Sequence, residues 1–324
     1  MQQPQQQQQQ LQVNISNIST PVQASLEIQL TSAVLGLCCA VGLPGNLVVL
    51  AVLRHKLGGG SFTLWVMLNL AVSDLLTLLT LPVWIHTLLH GFGLGQVPCK
   101  LLSYVVYWSL YTSVLCVTLL SVQRYIQVLY PQRWSKLKST GRKILLGIVW
   151  ALGAVMSSHA LVQREVRLEK DGFLHCLPRY SSVEEQIATL LAESLLLFML
   201  PFSVLASLYI ALHRRVKQTV RSGHRRMKRL VISIIVVFFI FSIPVHINNF
   251  LTILAVSLGS PGLLQMSKIT GGVTGAMTFL NSCVNPLLYA FSHRALRQST
   301  AKPLSAPLNP NSTSVVEATG SSIQ

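Results

Sequence analysis

FTLWVMLNLAVSDLLTLLTLPVWIHTLLH, residues 62–90, holds one carboxylate, Asp74, and no lysine or arginine along its whole length. As an α-helix, about 20 such residues cross the ~30 Å hydrocarbon layer of a bilayer. The rest of the chain repeats the pattern, with apolar stretches at 28–53, 62–90, 97–129, 141–163, 184–213, 228–257 and 265–290. Only 10% of the 324 residues are charged, 51% are hydrophobic, and mean hydropathy is +0.54. An ordinary soluble chain carries roughly a quarter charged residues. A soluble enzyme, a nuclear protein and a secreted disulfide-rich module are thereby excluded. The expected fold is an all-α bundle of seven transmembrane helices, residues 28–290.

The formal net charge of +16 does not point to nucleic acid, because the basic residues are dispersed between apolar spans rather than gathered on one folded face. Nineteen of the 25 Lys and Arg fall in alternate loops, in the C-terminal tail or at Arg124, which ends the third span. The loop after the fifth span alone carries Arg214, Arg215, Lys217, Arg221, Arg225, Arg226, Lys228 and Arg229. Short basic loops stay cytoplasmic. This places the N-terminus outside and the C-terminus inside, with the membrane crossed an odd number of times.

Residues 1–27 read as an outer tail: a glutamine tract without Lys or Arg, and no basic region ahead of a short apolar core that would mark a signal peptide. Asn14-Ile15-Ser16 and Asn17-Ile18-Ser19 are glycosylation acceptors on that tail. Beyond the seventh span, 291–298 place Phe291, Ala295 and Leu296 opposite Arg294 and Arg297, as in a short amphipathic helix lying on membrane lipid. Residues 299–324 are rich in Ser, Thr, Pro and Asn and are expected to be a disordered cytoplasmic tail. Cys38, Cys39, Cys116 and Cys283 lie inside spans as small apolar residues, whereas Cys99 and Cys176 both fall on the oxidising side. A bridge between those two is the natural pairing.

Ionisable groups in hydrocarbon are costly and mark function by default. Two carboxylates lie inside the spans away from their ends, Asp74 and Glu193. Asp74, with Ser113, Asn281 and Asn285 at similar depth, forms either a site for a sodium ion or a hydrogen-bonded structural cluster. Glu193, eight residues before Pro201, is either a ligand-facing acceptor or a neutral carboxyl satisfied by a neighbouring helix, and Tyr111 could bond the same ligand group. His86, His90, His159 and His246 are in outer halves of spans, at spacings that fit no metal motif. No phosphate loop, nucleophile elbow or His-Glu-x-x-His supports catalysis, and no cofactor beyond an allosteric sodium ion is expected.

Gly45-Asn46, Leu70-Ala71-x-x-Asp74, Cys99, Gln123-Arg124-Tyr125, Trp150, Pro201 with Tyr209, Pro244 and Asn285-Pro286-Leu287-Leu288-Tyr289 occur in order, one set per span. Over residues 28–298 the chain therefore resembles the rhodopsin-like (class A) G-protein-coupled receptors. The segments Ala40–Asn46, Leu68–Ala71, Tyr111–Leu115, Cys176–Tyr180, Ser282–Pro286 and Glu193 with its spacing to Pro201 are most similar to leukotriene B4 receptors of the chemoattractant group.

The resemblance implies a lipid acid as ligand, most specifically leukotriene B4, signalling through inhibitory-type heterotrimeric G proteins in chemotaxis and inflammation. Its carboxylate would lie near Arg164, its hydroxyl near Glu193 and Tyr111, with Ser103, His86, His246 and Lys268 completing the site. Arg124, Tyr125, Tyr209, Pro244 and Tyr289 would carry activation and coupling. Tail residues such as Ser299, Thr300 and Ser312 would accept phosphates from a receptor kinase and recruit arrestin. Val106 stands where amine receptors carry an Asp, which argues against a cationic amine. Arg167 and Arg179 are expected to pair with loop acids instead. The chain also departs from the family: Gln123 replaces the Asp before Arg124, Ser242 replaces a Trp near Pro244 (leaving Phe238 or Phe241 to carry the packing change), His159 replaces a Pro, and Gly271-Gly272 stand near where a basic residue can occur. The competing readings are a formylated or other peptide as ligand and, from another class, a secondary transporter, whose internal repeats are not found.

Overall fold

The computed structural model describes residues 21–56, 62–136, 139–169, 172–216 and 222–286. The first span is Pro21–Lys56, the second Phe62–His90 and the third Gln96–Leu129. A short helix, Pro131–Lys136, precedes the fourth span, Ser139–Met156, which continues after a turn as His159–Gln163. The fifth comprises Val183–Ser194, a π-helical turn at Leu195–Met199, and Leu200–Val216. The sixth is Ser222–Ser257. The seventh is Pro261–Thr278, broken at Phe279 and helical again over 280–286.

Six of these helices are long and apolar enough to cross a membrane, judged over the described residues. The seventh is shorter and more polar, and its core-facing groups serve the interior described below. The first helix begins at Pro21, inside the segment expected to be outer tail. Asn14, Asn17, the surface helix at 291–298 and the tail lie outside the described residues.

One element departs from an all-helical expectation. The loop between the fourth and fifth spans forms an antiparallel hairpin of β1, Arg164–Leu168, and β2, Leu174–Pro178, with Val166 opposite Cys176. Cys176 is bridged to Cys99 at the start of the third span, with Cα atoms 5.7 Å apart. Gln96 adds a second clamp: its amide donates to the Arg164 carbonyl at 2.7 Å and accepts from the Val166 N–H at 2.9 Å. Phe92, buried before the third span, donates its N–H to the Leu174 carbonyl at 2.6 Å. The end of the bundle that carries this hairpin is here called the outer end.

In hydrocarbon, backbone groups must be satisfied within the protein. Pro286 has no N–H to offer the Ser282 carbonyl one turn back. The Asn46 amide fills that gap, donating to Ser282 O at 2.7 Å and to Gly42 O at 3.0 Å, which ties the first span to the seventh. Gly45 allows the approach, since a Cβ there would meet Pro286 at 2.9 Å. Trp150 Nε1 donates to Asn69 Oδ1 at 2.8 Å, joining fourth and second spans, and Trp108 Nε1 donates to the Trp150 carbonyl. Pro201 likewise cannot serve the Leu197 carbonyl, and the fifth span loosens there into its π turn. Large apolar side chains such as Val48, Leu79 and Val155 point outward, as expected of a bundle whose solvent is lipid.

Candidate ligand cavity and polar core

Below the hairpin the spans enclose a cavity of about 430 Å³. Most of its wall is apolar, including Trp84, Phe92, Val106, Leu110 and Phe279. Cavities of this kind use a few placed polar groups for orientation. Here those groups are Arg164, Tyr107 and Glu193 at one side, with Ser103, His246 and Asn249 around them.

Arg164 begins β1 rather than ending a helix, so the Gln96 clamp fixes its backbone. Its guanidinium donates to the Tyr107 hydroxyl at 3.2 Å and lies over that ring, 5.6 Å from its centre. Glu193, on the last turn before the π segment, stands 3.4 Å from His159 Nε2, at ion-pair distance though outside hydrogen-bond geometry. The His159 ring packs edge-on against Tyr107, with centroids 4.7 Å apart. His246 Nδ1 is 3.3 Å from the Ser194 hydroxyl, to which Asn249 also donates, and the imidazole stacks on Phe198. Tyr180, just past the hairpin, is a neutral neighbour: burial first, and then the Glu193 charge, push its phenol up to about 12.

Four of the seven expected ligand residues, Arg164, Glu193, His246 and Ser103, line this cavity; three do not. Tyr111 is buried one helical turn deeper and turns behind Glu193, against Met156 and His159. His86 is exposed and stacks on His90, because the cavity-facing row of the second span is Trp84, Thr87 and Leu88. Lys268 is exposed one turn outward of Gly272, which does line the cavity. Sequence reasoning missed Tyr107: a tyrosine in a span is ordinary, and only the hairpin's placement of Arg164 brings a guanidinium onto it. Arg179 pairs with Glu165 at 3.1 Å, as its loop position suggested, while Arg167 donates to the Pro178 carbonyl.

At the cavity floor lie Ser113, Phe238, Ser242, Asn281 and Ser282. Ser242 leaves open the volume a tryptophan would fill; its hydroxyl accepts from Asn281 Nδ2 at 3.2 Å, and of the two phenylalanines considered, Phe238 borders the space. Beneath is Asp74, fully buried. Its carboxylate accepts from Asn285 Nδ2 at 2.7 Å, Ser282 Oγ at 3.0 Å and Ser113 Oγ at 3.3 Å. Asn281 bonds the sixth span rather than Asp74, and Ser282, not anticipated, takes its place. No cluster of three His, Cys, Asp or Glu occurs among the described residues.

Toward the inner end, Gln123 is fully buried and donates to Thr63 Oγ1 at 2.6 Å, a neutral tie between third and second spans. The Tyr125 ring lies 6.3 Å from Tyr130, and Pro244 lies within the continuous sixth helix. The side chains of Arg124 and Tyr209, and all of Tyr289, lie outside the described residues.

Over residues 45–289 the chain matches the family described as 7 transmembrane receptor (rhodopsin family). It belongs to that family of receptors. This receptor is 34% identical over 298 residues to leukotriene B4 receptor 1 of Homo sapiens, covering 89% of this chain and 84% of that one. It is 29% identical over 284 residues to C5a anaphylatoxin chemotactic receptor 1 of Danio rerio, covering 85% and 80%. With C-C chemokine receptor type 8 of Mus musculus the identity is 29% over 255 residues, covering 78% and 72%. The receptor is thus a multi-pass membrane protein and no enzyme, and its family implies a ligand and a G protein as partners.

Proposed function

We propose that this receptor responds to a lipid acid, leukotriene B4 or a close eicosanoid, at the plasma membrane with its N-terminus outside. The observation that carries the reading is that one guanidinium, Arg164, and one carboxylate, Glu193, both line an otherwise largely apolar cavity. An acid's carboxylate would bond Arg164 and Tyr107, a chain hydroxyl would bond Glu193, and the hydrocarbon would lie on Trp84, Val106 and Phe279. A charge-assisted bond of this kind contributes about 1.5–3 kcal/mol. The curated relatives named leukotriene B4 receptor 1 support the same ligand. The relatives named for C5a and chemokines favour a peptide as second reading.

Binding shifts the receptor toward coupling only if the ligand prefers that arrangement. The inner end of the sixth span would move about Pro244, freeing Arg124, Tyr209 and Tyr289 to admit an inhibitory-type G protein. Phosphorylation of the tail by a receptor kinase would then recruit arrestin. Asp74 with the hydroxyls of Ser113 and Ser282 is proposed to hold a sodium ion that favours the resting state. The buried Asn281 Oδ1, without a hydrogen-bond partner, is a further oxygen at this level.

The test is a calcium or nucleotide-exchange assay with leukotriene B4. Glu193→Ala or Arg164→Ala is expected to weaken potency by about tenfold or more at normal surface expression, as loss of one charge-assisted bond implies. Unchanged potency in both removes this pose, and a response to formyl peptides alone removes the lipid ligand.

A further inference from the structure

Behind Glu193 lies a second hollow of about 320 Å³, between the fourth and fifth spans. Met156 and His159 form one wall, Ala188, Ala192 and Leu196 the other, and Tyr111 the back. Glu193 borders both this hollow and the main cavity. Glu193, set 3.4 Å from His159, thus stands between the ligand cavity and the outer side of the fourth and fifth spans.

That outside is lipid. Leu152, Val155, Leu191 and Leu195 flank the opening as exposed apolar side chains. The fourth and fifth spans each pack on the third but make little contact with one another, and the exposed Ala188 and Ala192 leave the seam wide. Its outer end is stapled: Gln163 Nε2 donates to Glu185 Oε1 at 3.1 Å and to Thr189 Oγ1 at 2.9 Å.

We propose that this crevice is a lateral portal through which an amphipathic lipid acid passes from the outer leaflet into the cavity, with the Glu193–His159 contact as its gate. The proposal rests on the lipid-acid reading above. A lipid acid in a bilayer keeps its carboxylate at the headgroup level and its chain inward. Arg164 comes directly after Gln163 at the outer end of the seam, where that head would travel. The chain below would slide past Ala188 and Ala192, and its hydroxyls would meet Glu193 and His159 in turn.

A portal lies on the path and not in the bound state, so obstructing it slows arrival and departure equally. The experiment uses the full chain in lipid nanodiscs with tritiated leukotriene B4, comparing the native receptor with Ala188→Trp and Ala192→Trp, neither of which lines the main cavity. Association and dissociation rates are both expected to fall about tenfold, with Kd held within about twofold. Gln163→Ala, which removes the staple, is expected to raise both rates. Unchanged rates, or a weakened Kd at unchanged association rate, overturn the portal. If the native receptor binds no leukotriene B4, the ligand assignment fails by itself, and photolabelling with a diazirine-bearing oleic acid decides the portal. Label concentrated at Met156, Ala188 and Ala192, and lost on Ala192→Trp, supports it. Label spread evenly over the lipid-facing surface and insensitive to that substitution overturns it.

Discussion

The guanidinium of Arg164 and the hydroxyl of Tyr107 are joined by a 3.2 Å hydrogen bond, with the charge also over the tyrosine ring. Arg164 is held from behind by Gln96 and by a hairpin bridged to the third span, so the charge is aimed before any ligand arrives. Such preorganisation reduces the ordering cost of binding.

Tyr107→Phe keeps the ring and deletes the acceptor. Affinity for a lipid acid is expected to fall about tenfold, or about 1.4 kcal/mol, in competition binding. Tyr111→Phe, lying behind Glu193, is expected to change it less.

Gln123 and Thr63 form the neutral tie that stands where a carboxylate usually precedes the arginine. Thr63→Val orphans a buried amide, at a cost of about 1–3 kcal/mol, and is expected to lower thermal stability. It is also expected to raise ligand-independent nucleotide exchange, whereas Thr63→Ser keeps both near the native level. Thermal-shift and basal exchange measurements on the three receptors check this.

Ser242 keeps the cavity floor open. Ser242→Trp is expected to fill the space beside Asn281 and reduce ligand affinity about tenfold or more, since overpacking costs about 1–3 kcal/mol. Ser242→Ala loses one hydrogen bond and is expected to stay within about threefold, a loss near the low end for a neutral bond. Saturation binding separates the two outcomes.

Asp74 gathers donors from the third and seventh spans. Replacing sodium in the buffer by a bulky organic cation is expected to strengthen agonist binding to the native receptor. In Asp74→Asn the exchange is expected to have no effect. An equal response in both receptors removes the sodium assignment.

Much of the architecture was legible along the chain because the bilayer imposes a one-dimensional code. Length and apolarity mark spans. Asp74 and Glu193 stood out for the same reason: a carboxylate in hydrocarbon is too costly to be incidental. The Cys99–Cys176 bridge followed from compartment alone. The seventh span was read as an apolar stretch like the others, though it is the more polar one because its interior is spent on polar contacts.

The direction in which each side chain points was not legible. His86 and Lys268 had the right depth and chemistry but the wrong face or level. Tyr111 was displaced by Tyr107, one turn nearer the mouth. Ser282 entered the Asp74 shell beside Asn285, three residues on along the same helix face.

The amino-acid sequence by itself determined that this chain threads a membrane as a helical bundle, since transfer into hydrocarbon is decided residue by residue. Only the tertiary structure decided which polar groups meet. A hydrogen bond spans about 3 Å, and helix rotation, a proline break or a hairpin moves side chains further than that.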